Sequence, residues 1–446
     1  MKFKLFLILC ILLSFTAYPQ SATDMAALKG LAPVTVLYRT DAGNAALGAN
    51  FAITGGIQTG AIIQPTMLPF LDQQQQALKD AFVTKGNLAQ LADGLGTTLG
   101  AAYTARAHYV DREHFTNISQ SLADLIAYSY ATTSGNASSG KFFFANETKD
   151  GKTPVSLDAI AILKKTGGYP DMFGRAYGVS AGSPGADTFG NSRPFQTEPG
   201  VTRIIGPDYF HDPVDNISYN CGPIMNLTNS PSYPSGHTTY GYTSALILAI
   251  LVPERYLQMV TRAAEYGNDR IIMGAHYVMD ILGGRTLALY DMAHLLANDP
   301  AYIGKNLNSA PIIKDFQAIV KQARVDLTAA LQAGCGNTIA VCASEDIGRL
   351  SNSAANEAFY ASTQTYNLPV VYPKNAAVVE DVDKLSPEAG YLLIAAFPSL
   401  TLAQANKILT ETEGPGGGFL DDGSAFGIYS RLNLYAAAKR AAQAGR

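Results

Sequence analysis

Beyond its first residues, the sequence has no apolar run long enough to cross a membrane. The nearest, Ala245 to Val252, is far shorter than the roughly 18 residues that a spanning helix needs. Cysteine and histidine are scarce, and none of their spacings is typical of a zinc site. The acidic residues do not follow the pattern of a calcium loop. The sequence therefore predicts no bound metal and no stable membrane insertion.

An excess of basic residues is also missing. The 446 residues include 32 Lys and Arg against 36 Asp and Glu, for a formal net charge of −4 at pH 7. Proteins that bind nucleic acid without sequence preference normally carry a positive excess. Nucleic acid is therefore not an expected partner, whereas a homo-oligomer is compatible with the sequence.

The N-terminus has the features of a secretory signal. Two lysines lie within Met1–Lys4, and the largely apolar run Leu5–Phe15 follows them. This order of a basic region and a short apolar region is typical of a signal peptide, which we place at residues 1–20. We expect cleavage near Gln20 to Thr23 and a periplasmic or secreted protein.

Loss of this signal would remove Cys10 and leave an odd number of cysteines. Cys335 and Cys342 lie close together on either side of a glycine-bearing loop. In an oxidising compartment such a pair favours a local disulfide. Cys221 would then remain as a single thiol.

Apolar residues at three- and four-residue spacing predict a mostly α-helical protein. A stretch rich in Gly, Pro, Asn and Asp, Gly167–Ser232, predicts a long loop, which in a compact enzyme is usually part of the site or its rim. We expect a helical domain at residues 21–299 and a mostly helical C-terminal extension at 300–446. The clearest helical segments are Phe70–Val83, Leu122–Thr132, Leu157–Lys165, Tyr256–Tyr266, Ile312–Ala333 and Leu402–Thr412.

The segment Pro234-Ser235-Gly236-His237 immediately precedes a helical run that we expect to begin near Gly236. The start of a helix presents unpaired backbone N–H groups and the positive end of its dipole, and both favour a phosphate. Gly236 allows the backbone to approach such a ligand, and Ser235 offers a hydroxyl. His237 at this position can hold a proton for a leaving oxygen.

A second segment contains Arg270, His276 and Asp280, which we expect on one helix running toward His294. Four residues apart, His276 and Asp280 would share a helix face, so the carboxylate could orient the imidazole as a nucleophile. Arg270, together with Arg193 of the upstream Arg193-Pro194 pair, could neutralise phosphoryl oxygens. Each segment alone could be an ordinary turn or surface pair, but their combination predicts phosphoryl transfer.

Together these segments resemble the three-part signature of the phosphatidic-acid phosphatase type 2 superfamily. That superfamily includes bacterial class A acid phosphatases, membrane lipid phosphatases and vanadium haloperoxidases. The resemblance implies an all-α helical bundle of the acid phosphatase and haloperoxidase type. It also implies that His276 is the nucleophile, Asp280 its orienting partner and His237 the general acid. Phosphoryl oxygens would be bound by Arg193, Arg270, Ser235 and the backbone of Gly236.

Two positions differ from the family pattern. The lysine that usually lies seven residues before the first arginine is Ala186 here, so a phosphate-binding cation is missing or comes from elsewhere. The sequence offers Arg175, Lys164 and Lys165 as substitutes. The serine that usually precedes the third-motif arginine is Asp269, and a carboxylate there would weaken phosphate binding unless it turns away or pairs with an arginine.

The leading hypothesis from the sequence is an exported, metal-independent phosphomonoesterase that acts on a small phosphorylated substrate. It would need no cofactor and would work through a phosphohistidine at His276, with an acidic to near-neutral optimum. One alternative is a vanadium-dependent haloperoxidase, in which the same residues hold vanadate as cofactor. Another is a phosphate-binding relative in which Ala186 and Asp269 have weakened catalysis.

Overall fold

The structure is a computed structural model that describes residues 20–62, 64–65, 67–82, 86–166, 191–198, 200–217, 230–307 and 310–444. It is mostly helical, which confirms the predicted all-α class. Residues 1–19 of the predicted signal peptide lie outside the described residues, as do Cys221, Arg175 and Ala186.

All six of the helices predicted from periodicity are present, but each differs from its prediction in its first or last residue. The α-helices are α1 (Ala22–Leu31), α2 (Asp41–Thr59), α3 (Phe70–Lys79), α4 (Thr97–Thr104), α5 (Gln120–Asn146), α6 (Leu157–Thr166), α7 (Pro194–Thr197), α8 (Gly236–Leu251), α9 (Tyr256–Ile272), α10 (Val278–Leu296), α11 (Phe316–Cys335), α12 (Ile339–Ser344), α13 (Ser353–Thr365), α14 (Pro373–Ala376), α15 (Val382–Leu385), α16 (Tyr391–Ile394), α17 (Leu402–Glu411) and α18 (Leu434–Ala444). Short 3₁₀ helices are Ala32–Arg39, Ala89–Leu95, Pro253–Arg255, Pro387–Gly390 and Gly427–Ser430. Two antiparallel strands, β1 (Ile205–Pro207) and β2 (Pro213–Asp215), pair Gly206 with Val214.

Helix α8 lies at the centre of the molecule. Every one of its residues is buried, and it packs against α5, α9 and α10. Apolar residues cover all of its sides, which is typical of a helix enclosed by others. The predicted start at Gly236 is confirmed, so the segment before it is held at the end of a buried helix.

Two clusters of buried apolar side chains form the core, and both include parts of α5 and α10. One cluster contains the beginning of α5 and the end of α10, for example Leu125 and Leu289. The other contains the end of α5 and the beginning of α10, for example Phe143 and Val278. The predicted site residues lie at the second cluster, where α5 ends and α10 begins.

The residues after 300 pack on the same core. Leu331, Tyr360 and Tyr435 belong to one apolar cluster with α8 and α9. Arg285 of α10 donates hydrogen bonds to the Thr363 carbonyl at 3.2 Å and to the Ser430 carbonyl at 2.6 Å. The C-terminal residues therefore support the back of the helix that contains Asp280.

Cys335 and Cys342 form a disulfide, as the sequence predicted. The bond joins the end of α11 to α12. Within the part of the chain that the structure describes, none of the helices combines the length and apolar character that crossing a bilayer requires.

Candidate active site

The N-terminus of α8 forms one wall of the candidate site. Ser235 is the residue before the helix, and its Oγ accepts hydrogen bonds from the Thr238 amide at 3.1 Å and the Thr238 hydroxyl at 2.9 Å. Both bonds use Ser235 as an acceptor, so its own hydroxyl proton is left to donate. His237 follows in the first turn and is buried. The positive end of the helix dipole is thus directed at the site.

The opposite wall is a turn between α9 and α10, and here one prediction was wrong. Arg270, His276 and Asp280 do not lie on one helix, because α9 ends at Ile272 and α10 begins at Val278. Gly274 reverses the chain with a φ of +74°, a conformation that favours glycine. The Arg270 carbonyl then accepts the amides of Ala275 and His276, at 3.0 and 3.2 Å. His276 is therefore held in the turn, close to Arg270.

Asp280 meets His276 from the first turn of α10. Its Oδ2 lies 3.2 Å from His276 Nδ1 and accepts the Tyr277 amide at 2.9 Å. The Ser232 hydroxyl donates to the same oxygen. Because three groups converge on one carboxylate oxygen, its position is fixed. The predicted contact between His276 and Asp280 exists, although a helix start rather than a shared helix face creates it.

Asp280 also connects the two walls of the site. Its backbone carbonyl accepts the Ser235 amide at 3.0 Å. Gly284, one turn further along α10, makes this approach possible, because a Cβ there would lie 2.4 Å from the Ser235 carbonyl oxygen. Asp280 therefore both orients His276 and holds the start of α8.

Arg193 fixes the tautomer of His276. Its Nη1 lies 2.9 Å from His276 Nε2 and donates to the Ala275 carbonyl at 3.0 Å. A guanidinium can only donate, so Nε2 is the nitrogen with a lone pair and Nδ1 is the one that bears the proton. The proton on Nδ1 is then directed at Asp280. This is the tautomer that a nucleophilic Nε2 requires.

Arg270 and His237 present buried donors to the same space. Arg270 donates from Nη2 to the Ala77 carbonyl at 3.0 Å, while its Nε and Nη1 have no hydrogen-bond partner among the described residues. His237 Nε2 also has no hydrogen-bond partner among the described residues. A buried donor without a partner costs about 1–3 kcal/mol, so these groups indicate a ligand that accepts hydrogen bonds. The rings of His237 and His276 have centroids 6.1 Å apart, close enough for one tetrahedral anion to contact both.

Burial and neighbouring cations set the charges of the site. Burial, followed by the charges of Arg193, Arg270 and Lys141, holds the pKa of both His237 and His276 well below the usual histidine value. Burial raises the pKa of Asp280 to about 6, although the Ser232 hydroxyl and the Tyr277 amide oppose this rise. At neutral pH both imidazoles are therefore neutral and Asp280 is a carboxylate.

Asp269 does not add negative charge to the site. It is buried, and burial together with the nearby Asp80 and Glu265 raises its pKa well above the usual value for a carboxyl group. Asp80 itself pairs with Arg262 at 2.6 Å. A neutral Asp269 beside this ion pair leaves the charge of Arg270 intact. The weakening that the sequence suggested for this position is thus not expected.

Two residues near the site were not among the sequence candidates. Ser232 bonds to Asp280, and Lys141 of α5 donates to the Pro231 carbonyl at 2.9 Å. No motif spacing indicates either residue. Lys164 and Lys165, which the sequence offered as substitute cations, are exposed on α6. Among the described residues, no group of three or more His, Cys, Asp or Glu side chains is placed to hold a metal ion.

Comparison with known proteins points to the same part of the chain. Residues 176–297 match the PAP2 superfamily, and this range contains every site residue that the sequence predicted. The chain carries a PAP2 superfamily domain. The resemblance inferred from the three segments is confirmed.

The curated proteins that the chain resembles include phosphatases. A non-specific acid phosphatase of Salmonella typhimurium is 42% identical over 69 residues, which are 16% of this chain and 28% of the relative. An acid phosphatase of Zymomonas mobilis is 44% identical over 69 residues, or 16% and 26% of the two chains. A lipid A 1-phosphatase of Rhizobium johnstonii is 31% identical over 87 residues, or 19% and 34%. The chain thus spans about a quarter to a third of the length of these relatives.

Proposed function

We propose that this protein is a phosphomonoesterase that works through a covalent phosphohistidine at His276. The observation that carries the proposal is the environment of His276 Nε2. Its lone pair is fixed by the Asp280 contact on the other nitrogen, and it faces His237 and two buried arginines. The phosphatase relatives of the PAP2 domain support the same reaction class.

In the first step, Nε2 of His276 attacks phosphorus. The bond from phosphorus to the ester oxygen breaks, and His237, which takes up a proton as the anionic substrate binds, gives that proton to the departing alcohol. Arg193 gives up its hydrogen bond to Nε2 and donates a hydrogen bond to a phosphoryl oxygen instead. Arg270 and the first amides of α8 stabilise the charge that develops on the other oxygens.

In the second step, water attacks the phosphohistidine. His237, now neutral, takes a proton from the water, and the bond between phosphorus and Nε2 breaks. Inorganic phosphate leaves and His276 returns to its starting tautomer. Asp280 accepts a hydrogen bond from Nδ1–H throughout and stabilises the positive charge that forms on the ring.

We also propose that the protein is exported and that its signal peptide is removed near residue 20. The disulfide between Cys335 and Cys342 supports this proposal, because such bonds persist mainly in oxidising compartments. N-terminal sequencing of protein from the periplasm or the medium tests it. A first residue within Gln20–Thr23 is expected, and an intact Met1 in a cytoplasmic fraction contradicts export.

The first test of the function is an assay with p-nitrophenyl phosphate. We expect hydrolysis that a metal chelator does not reduce and that vanadate inhibits competitively, because vanadate occupies the phosphate position. A parallel assay supplies vanadate, peroxide and halide. Halogenation without phosphate hydrolysis would contradict the proposal and support the haloperoxidase alternative.

The pH profile is a second prediction. We expect kcat/KM to fall below about pH 6, because protonated Asp280 no longer accepts the Nδ1 proton of His276. It also falls as the pH rises past neutral, because His237 has a lowered pKa, is neutral in the free enzyme and must take up a proton as the anionic substrate binds. A bell-shaped profile with a mildly acidic to near-neutral optimum, close to or just above pH 6, follows. An optimum above about pH 9, past the histidine range, would contradict these roles.

A further inference from the structure

Lys141 is a buried lysine that reaches the candidate site from a helix outside the PAP2 match. It belongs to α5, and only 7% of it is exposed. Its ammonium donates to the Pro231 carbonyl at 2.9 Å, and Arg193 Nη2 donates to the same carbonyl at 3.2 Å. Two cations therefore approach one another on the same side of the site.

The lysine side chain also lies against the start of α8. A Cβ built on Gly236 would lie 3.3 Å from Lys141 Cε. The amides of the first turn of α8 and the ammonium of Lys141 thus border the same space. The charge of Lys141 is among those that lower the pKa of both His237 and His276, in keeping with a position near the two imidazoles.

Lys141, Arg193 and Arg270 form a buried group of three cations at the candidate site. Buried charges are favoured where an opposite charge lies close to them. A phosphoryl group bound at the start of α8 would bring negative charge into this group.

We propose that Lys141 binds a phosphoryl oxygen of the substrate beside Arg193 and Arg270. This inference rests on the proposed function. It gives the site the third cation that the sequence lacks at Ala186, supplied from α5 instead of the segment before Arg193. In chemical terms, the site is fitted to the doubly negative form of a phosphomonoester.

The experiment compares Lys141→Met and Lys141→Gln with the wild type. Methionine removes both the charge and the donor, whereas glutamine can still donate to the Pro231 carbonyl. We expect both variants to weaken the Kd for inorganic phosphate and the KM for p-nitrophenyl phosphate by about 10- to 100-fold, the range for a lost charged hydrogen bond. Lys141→Arg should recover part of the affinity, and the exposed Lys152→Met should match the wild type.

Thermal unfolding separates this role from a structural one. Without phosphate, we expect the Tm of Lys141→Gln to equal or exceed that of the wild type, because a buried positive charge is removed. Added phosphate should raise the Tm of the wild type more than that of the variant. A Lys141→Gln protein that binds phosphate like the wild type overturns the inference.

Calorimetry with inorganic phosphate keeps the two proposals apart. If the wild type hydrolyses no phosphomonoester, the proposed function fails, and the phosphate affinities of wild type and variants still test Lys141. If the wild type is active and Lys141→Met retains its KM and phosphate affinity, only the inference about Lys141 fails. A wild type that neither turns over nor binds phosphate overturns both.

Discussion

Replacement of His276 by alanine is expected to lower kcat/KM for p-nitrophenyl phosphate by at least about 10⁴-fold. In the proposed mechanism the variant lacks the atom that forms the bond to phosphorus, so water must attack the ester directly. In free-energy terms the loss is about 5 kcal/mol or more of transition-state stabilisation. Phosphate binding should persist, because Arg193, Arg270 and the start of α8 remain. Steady-state kinetics on folded protein provides the measurement.

A matched control is available on α10, the helix that contains Asp280. His294 lies 2.7 Å from Asp299 and forms a second histidine–aspartate pair away from the site. His294→Ala should retain kcat/KM within a few-fold. Rapid alkali quenching with labelled substrate should trap an acid-labile, alkali-stable phosphoenzyme in the wild type and not in His276→Ala. A wild-type kcat/KM for His276→Ala would show that the reaction does not require this residue.

The second large effect is expected for Asp280→Asn, with kcat lower by about 10³- to 10⁴-fold and KM changed little. An asparagine that turns its amide toward Nδ1 donates a proton there, so the ring proton moves to Nε2. Nε2 then meets a donor, Arg193 Nη1, and has no lone pair for phosphorus. Loss of the correct histidine tautomer has effects of this size in catalytic triads.

The control for this variant is Asp299→Asn, which changes the histidine–aspartate pair outside the site. It should leave kcat unchanged. Near-UV circular dichroism verifies that Asp280→Asn keeps the fold, since Asp280 also accepts the Tyr277 amide at the start of α10. A folded Asp280→Asn with wild-type kcat would show that the orientation of His276 does not depend on this carboxylate.

Much of the fold was predictable because burial leaves a periodic pattern. The predicted segment Leu402–Thr412 corresponds to α17, which has one apolar side and ends one residue earlier. The loop predicted before Ser232 contains the hairpin of β1 and β2, which is too short to show strand alternation. The extent of α5 was underestimated, because its second half contains Ser, Gly and Asn residues that favour neither helix nor core.

That the candidate residues lie close together was predictable, but their geometry was not. Motif order predicted His237, His276 and Asp280, whereas the turn at Gly274 was missed in favour of one continuous helix. The apolar pattern continues through this turn because it is buried on every side, so periodicity cannot detect the break. Lys141 reaches the site through tertiary packing of α5, about which local sequence spacing contains no information.

The contact between Arg193 and His276 has a consequence for selectivity. As long as the guanidinium holds Nε2, the lone pair of the ring is occupied, and any electrophile meets a blocked nitrogen. A negatively charged group can draw the guanidinium away, whereas an uncharged ester of similar shape offers it no better acceptor. Neutral esters would then be rejected at the binding step, before any covalent bond changes. Only an anionic phosphate ester would displace the guanidinium and expose Nε2.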